Sequence, residues 1–282
     1  MYARPSDLDE ALGLLAEGGA RVMAGATDIF PAVGERPLQG SYVDVSNIPS
    51  LRGVRVDQEC VRIGAAATWT EIANANLPGA FDALKTAARE IGAVQIQNRG
   101  TIGGNLCNAS PAADGVPPLL ILEAEVELAS KRGVRRLPLG AFITGNRRTA
   151  LSGDEILTSV VIATPAPTAR SAFLKLGARR YLVISIAMVA ALLDIDDGRV
   201  REARIAVGAC SATAERIGAA ERRLIGAPAR PGLGHAIEAQ DLAALSPIDD
   251  LRASAPYRRE AALTLVRRAI EACLLGQAGG AL

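Results

Sequence analysis

Two short runs of small and polar residues are the places where this chain can meet an anion. The first, Val22-Met23-Ala24-Gly25-Ala26-Thr27-Asp28-Ile29, leaves an apolar stretch and must turn at Gly25-Ala26-Thr27-Asp28. The second, Thr101-Ile102-Gly103-Gly104-Asn105, lies far along the chain and is followed at once by the polar run Asn108-Ala109-Ser110-Pro111-Ala112-Ala113-Asp114. Small side chains let backbone N–H groups approach an anion without obstruction. Thr27, Thr101 and Asn105 add hydroxyl and amide donors, so two such loops can grip one diphosphate through neutral hydrogen bonds. That suits a chain with three lysines (Lys85, Lys131 and Lys175) and a formal charge of +1. Either turn alone is equally compatible with an ordinary loop, and the second polar run favours function.

Other chemistries are excluded by what is missing. Gly232-Leu233-Gly234 is followed by Ile237 where a dinucleotide fingerprint needs glycine, and no Gly-Lys-Ser/Thr run exists for a P-loop. The four cysteines (Cys60, Cys107, Cys210 and Cys273) include no C-x-x-C pair, and His235 is the only histidine. The cysteine spacing argues against a zinc ribbon or a ferredoxin-like cluster, and the lone histidine rules out a two-histidine metal site and a hydrolase triad with a spare, so no metal ligand and no catalytic residue is assigned. His235 lies in a Pro/Gly-rich stretch and is expected at the surface or at a helix cap. With 31 Lys+Arg against 30 Asp+Glu the chain is no electrostatic nucleic-acid binder, and 3% aromatics leave little for base stacking. The N-terminus has no apolar leader region, and the longest apolar stretch, Leu182 to Leu193, falls short of the ~20 residues of a membrane span. A soluble, cytoplasmic protein with reduced thiols is expected.

At 282 residues and 49% hydrophobic, one large or two smaller domains are expected against a prior of ~150 residues per domain. Ser6-Asp7-Leu8-Asp9 has capping-box form, and Leu8, Ala11, Leu12 and Leu15 predict a short helix stopped by Gly18-Gly19. Arg21 to Ala24 and Tyr42 to Val45 predict strands, and Val54-Arg55-Val56 with Val61-Arg62-Ile63 a hairpin. Helices are expected near Thr68 and over Gly79 to Ile91. The run 95–115 fits neither period and predicts a long, ordered, functional loop. A second hairpin over Val126 to Leu137 and a strand over Glu155 to Ile162 precede Pro165 and Pro167, the best domain boundary. Beyond it come strands at Phe173 to Leu176, Ile184 to Ile195 and Val200 to Val207, then three helical segments. On these helices the pairs Arg222-Arg223, Arg258-Arg259 and Arg267-Arg268 are expected to be solvated or interface faces.

Ala24-Gly25-Ala26-Thr27-Asp28 followed by Thr101 to Asp114, and further on Asp154-Glu155-Ile156-Leu157 and Phe173 to Tyr181, resemble the FAD-binding medium subunit of molybdenum hydroxylases, the xanthine dehydrogenase and carbon monoxide dehydrogenase group, over nearly the full length. The resemblance implies an α+β protein: a p-cresol methylhydroxylase-type FAD-binding domain over residues 1–166, made of two α/β subdomains (about 1–52 and 53–166) with the flavin between them. A small flavoprotein C-terminal α/β domain with an antiparallel sheet would occupy 167–282. It further implies that Val22 to Ile29, Thr101 to Asn105 and Asn108 hold the FAD pyrophosphate. Asp114 would serve the ribose or adenine side, Leu157 the adenine or ring region, Lys175 the isoalloxazine edge, and Tyr181 would pack by the flavin. Each of the last group has a plain alternative: Lys175 snorkelling from a strand, Asp114 capping a helix over Val116 to Glu123, Leu157 filling the core.

In the family the first loop usually reads Ala-Gly-Gly, whereas Ala26 holds the second glycine place here and constrains φ. FAD is expected to be noncovalent, since the only histidine is C-terminal. The implied partners are a large molybdopterin subunit and a small subunit with two 2Fe-2S clusters, as a dimer of heterotrimers. Electrons would pass through the FAD to NAD, a quinone or oxygen, while the flavin carries the redox chemistry. The rival reading is a free-standing FAD oxidoreductase using Lys175 or Tyr181 as its acid or base.

Overall fold

The computed structural model describes residues 1–179 and 182–275. These fold into two compact units that interleave along the chain: 1–75, 93–109 and 124–164 form one, and the described parts of 76–92, 110–123 and 165–282 form the other. The second unit takes up the chain at Pro165, next to the expected proline boundary, but it also recruits two earlier segments.

In the first unit, β1 (Tyr2–Ala3), β2 (Ala20–Met23) and β3 (Ser41–Asp44) form a parallel sheet in the order β1-β3-β2. The helix Leu8–Ala16 begins one residue later than the capping-box reading placed it. Asp7 is the cap, its side chain accepting Glu10 N–H at 2.9 Å. Gly18 and Gly19 end it with φ of 84° and 77°. There follow β4 (Val54–Val56), β5 (Cys60–Gly64), β6 (Glu125–Ser130), β7 (Gly133–Pro138), β8 (Ile143–Gly145), β9 (Arg148–Thr149) and β10 (Ile156–Ala163). β8 and β9 pair alone, and the rest make an antiparallel sheet in the order β4-β5-β10-β6-β7. Ala11, Leu12 and Leu15 of the first helix bury against Val43 and Val45 and against Ala129 and Ile156, so one amphipathic helix ties both sheets to a common core.

The second unit is built on an antiparallel sheet of β11 (Arg170–Leu176), β12 (Ala187–Asp196), β13 (Arg199–Gly208) and β14 (Glu215–Arg216), in that order. Ala187, Val189, Ala191 and Leu193 of β12 face a core shared with Ala262, Val266, Ala269 and Ile270 of the helix Ala255–Leu274. The helices Asp82–Glu90 and Val116–Ile121 pack on the same strands. Pro117 lies at the Met188–Gly208 pair, on the residues alternate to those of that core. Both faces of β12 are therefore covered, which is why its sequence is a continuous apolar run and not an alternating one. The two recruited segments supply the second cover.

The expectation for the arginine pairs needs correcting at Arg258. Its neighbour Arg259 is exposed, but Arg258 is 3% exposed. Its Nη1 donates to Ile186 O at 2.6 Å and Ala209 O at 3.1 Å, and its Nη2 to Asp250 at 2.8 Å. The Arg252 N–H, with the Arg258 guanidinium and the Ala253 N–H, holds the Asp250 carboxyl well below the usual carboxylate range. A carboxyl depressed on folding stabilises at pH values above its unfolded value, and that contribution fades as pH falls through its folded value. Arg258→Met is expected to cost about 3 kcal/mol, the lower end of the range for breaking a buried ion pair. Asp250→Asn is expected to be destabilised relative to the parent at pH 7, with the gap narrowing toward pH 2; urea denaturation across that range measures both.

Candidate functional site

The Val22–Ile29 turn leaves the carboxyl end of β2, where open parallel sheets place their ligand loops. Its position is fixed by backbone contact with the second run. A Cβ built on Gly25 would lie 1.9 Å from Arg99 O and 3.0 Å from Gly100 Cα, so only glycine fits. A Cβ on Gly100 would meet Ile96 O at 3.0 Å, Trp69 Cδ1 at 3.3 Å and Thr27 Oγ1 at 3.5 Å, which lays Thr27 over the same spot. Among the described residues no acceptor takes the N–H of Ala26, Thr27 or Asp28. Ala26 has φ 59°, the left-handed conformation that costs an L-residue roughly 1–2 kcal/mol. Phe30 N–H returns to Ala26 O at 3.2 Å and starts the short helix Ile29–Val33. Val22 and Ala24 are half-buried and Met23 is in the core.

The second run is not the loop its composition suggested. Ile102–Asn108 is a helix capped by Thr101, whose Oγ1 accepts Gly104 N–H at 3.1 Å. Ile102 and Leu106, four apart, bury its inner face, and Ala109 ends it at φ 45°. Gly103 is there for packing, since its Cβ would sit 2.7 Å from Ala65 O. The leading N–H groups are already spent: Ile102 donates to Ala67 O and Gly103 to Ala65 O. What this helix offers a ligand is therefore side chains and not a bare N-terminus. Gly104 is exposed, Asn105 and Asn108 are half-buried, and Asn105 Oδ1 is buried without a protein partner among the described residues. An orphaned buried amide oxygen is costly unless a ligand or water meets it. Burial pushes the Cys107 thiol on this helix up to about 12, so it stays protonated at neutral pH.

Asn108 has a partner that sequence reasoning missed. Arg147, in the β8–β9 turn with φ 57°, donates from Nη1 to Asn108 Oδ1, and its backbone N–H bonds Ala109 O at 2.9 Å. Nothing in the run Gly145-Asn146-Arg147-Arg148 marks this out beyond the charge at a turn tip.

In the second unit Asp114 and Lys175 form a buried pair. Lys175 Nζ donates to Asp114 Oδ2 at 2.6 Å and to Glu90 O at 3.3 Å, and Ser185 Oγ donates to Asp114 Oδ1 at 2.5 Å. Both side chains are under a tenth exposed, so Lys175 does not snorkel. Asp114 caps no helix: Gly115 is the cap of Val116–Ile121, without a side-chain bond. Burial raises the Asp114 carboxyl against the opposing pull of the Lys175 ammonium. Leu157, 4% exposed in β10 of the first unit, is paired with Leu128 and packs in the core. Tyr181 lies outside the described residues. Ser185, like Arg147, is a contributor that no spacing rule announced.

With this geometry in hand, the comparisons identify the family. Residues 1–165 match the model for the FAD binding domain in molybdopterin dehydrogenase, and 172–273 the CO dehydrogenase flavoprotein C-terminal domain. The chain belongs to this family of FAD-binding subunits of oxidoreductases. It is 37% identical to the nicotinate dehydrogenase FAD-subunit of Eubacterium barkeri over 80% of each chain. It is 33% identical to the xanthine dehydrogenase FAD-binding subunit of Escherichia coli O157:H7, over 99% of this chain and 97% of that one. Among solved structures, carbon monoxide dehydrogenase from Hydrogenophaga pseudoflava, in a form lacking the Mo-pyranopterin moiety of its molybdenum cofactor, superposes with a TM-score of 0.89 at 29% identity, covering 98% of both chains.

The residues of the first unit fit the group that this family binds. Three N–H groups at 26–28 that are unspent among the described residues, the Thr27 hydroxyl and the Asn105 and Asn108 amides would serve as neutral partners for a diphosphate and its neighbouring hydroxyls. Two substitutions one residue apart should act oppositely on thermal stability. Gly25→Ala forces a Cβ into Arg99 O and is expected to cost at least ~3 kcal/mol, at the top of the overpacking range. Ala26→Gly relieves the left-handed strain against a smaller entropic loss and is expected to gain up to about 1 kcal/mol. For the buried pair, Asp114→Leu and Lys175→Met are each expected to cost ~3–5 kcal/mol, and the double variant far less than their sum, by denaturant titration.

Proposed function

We propose that this chain is the electron-transfer subunit of a molybdenum-containing hydroxylase. In that role it holds FAD noncovalently, receives electrons from the 2Fe-2S clusters of a small partner subunit and delivers them to an external acceptor: NAD, a quinone or oxygen. Within this reading 1–166 is the FAD-binding domain, 167–282 is the flavoprotein C-terminal domain, and a large molybdopterin subunit completes a dimer of heterotrimers. The observation that carries the reading is the backbone abutment of Gly25 on Arg99–Gly100. It brings the unspent N–H groups of the first turn against the segment leading into the Asn105–Asn108 helix. Bound FAD supplies the exchange between single electrons and pairs. The chain's own residues bind and orient it: Thr27 and the 26–28 N–H groups take phosphate oxygens, and Asn105 and Asn108 take the adjoining polar atoms.

The rival reading, a free-standing FAD oxidoreductase, needs an acid or base of its own. Lys175 is poorly suited, because its ammonium is held by Asp114 and Glu90 O. Action in the cytoplasm belongs to the same proposal and is in keeping with four unpaired cysteines. No helix among the described residues is long and apolar enough to cross a membrane.

Purification from native cells tests the whole reading. The expected result is a flavin spectrum, equimolar large and small subunits, and complete release of the flavin on denaturation. Reduced complex mixed separately with NAD, a quinone and oxygen should be reoxidised fast by one of them. A yellow protein without partners that oxidises a small molecule alone would establish the rival.

A further inference from the structure

Arginine has only donors, so the end of the Asn108 amide that faces Arg147 must be its oxygen. With Oδ1 committed to Arg147 Nη1, the amide nitrogen is the end left to point elsewhere, and it meets no protein acceptor among the described residues. Free of that contact, a half-exposed asparagine offers a ligand either end with similar ease; with it, the side chain is a fixed donor. The same arginine also reaches Asn108 O at 3.5 Å, and its backbone N–H bonds Ala109 O, the residue that ends the helix. This grip is kept although Arg147 sits at φ 57°, a conformation that disfavours any residue with a Cβ and that glycine would adopt freely.

We infer that Arg147 is a positioning residue for cofactor binding: it turns the Asn108 amide so that its NH2 group is presented to an oxygen of the FAD diphosphate or ribose. The inference deepens the proposed function and rests on Asn108 being a ligand of FAD. Arg147 acts through Asn108 and through the end of the helix, without itself touching the cofactor. Its own charge is directed at a protein carbonyl and an amide oxygen.

The test is FAD binding by the full chain stripped of flavin and titrated with FAD, read by quenching of flavin fluorescence, with the thermal midpoint of the apo-protein measured alongside. Arg147→Met and Asn108→Ala are each expected to raise the Kd for FAD about tenfold, the size of one hydrogen bond of the charge-linked kind. The double variant should be no weaker than either single one. Arg147→Lys, which keeps a donor, should recover part of the affinity. Arg147→Gly should leave the apo-protein as stable as the parent or more so, because it relieves the positive φ, and yet bind FAD as poorly as Arg147→Met. An unchanged Kd in Arg147→Met with a raised Kd in Asn108→Ala overturns the inference and leaves Asn108 as a ligand. Losses that add in the double variant overturn it too, since they make the two residues independent. An unchanged Kd in Asn108→Ala removes the ligand role on which the inference stands.

Discussion

Everything proposed for the first unit depends on one backbone contact. Gly25 lies so close to Arg99 O that no side chain can come between them, and this joins a turn after β2 to a segment far along the chain. Glycine at this point is a matter of distance, not of φ. The segment from Ala65 to Trp69 secures the other side: Trp69 N–H bonds Gly100 O, and Ile102 N–H bonds Ala67 O. Two stretches of chain are thus joined by main-chain bonds and the third is packed against them backbone to backbone, which holds a geometry more rigidly than side chains with free rotamers. A ligand cradle made this way is set before the ligand arrives, and binding spends little on ordering it.

The same contact explains how much of the site was legible. Gly25 and Thr27, and the Thr101 to Asn108 run, could be singled out because a cluster of small and polar residues in an apolar chain is unusual. Their conformations could not. Ile102 and Leu106 at helical spacing behind a threonine cap are a helix signal, but Gly103 and Gly104 mask it by propensity. Gly103 is set by its contact with Ala65, which no local window contains, and Gly104 by the Thr101 hydroxyl three residues before it. Within the proposed function, the roles first given to backbone N–H groups there pass to the Asn105 and Asn108 side chains, because the 65–67 carbonyls and Thr101 take those groups first. Ala26 shows the converse. Its departure from the usual glycine was visible in the sequence, and the structure keeps the glycine-like φ and tolerates the strain.

At the level of the fold, local patterns were reliable and partnership was not. The hairpins, the first helix and the long strands follow their periodicities. The interleaving of the two units does not follow from any pattern near Asp82 or Val116, because it is the far face of the β11–β13 sheet that those helices cover, the first on β11 and the second on β12 and β13. The unbroken apolar run in β12 was the available clue, since a strand buried on one side alternates and this one does not. Arg258 was misjudged for a related reason. An arginine on a helix is solvated in most settings, and only the convergence of Ile186 O, Ala209 O and Asp250 makes burial tolerable here.

Charge is distributed in a way that bears on ligand chemistry. The chain has 28 arginines besides its three lysines, and one cation beside the candidate residues of each unit is committed to a protein partner. Arg147 is turned onto Asn108 and Lys175 onto Asp114. A cation so committed fixes an orientation, and its field is partly cancelled by the group it holds, so it adds little net attraction for an anion. At Asn108, within the proposed function, recognition then falls to a neutral donor at a fixed position. Such donors bind a diphosphate less strongly than free lysines would, but they select by geometry, and their desolvation costs less than burying an unpaired cation. For a cofactor that stays bound while electrons pass through it, fixed orientation is the more useful property, and a near-neutral chain rich in paired arginines is suited to provide it.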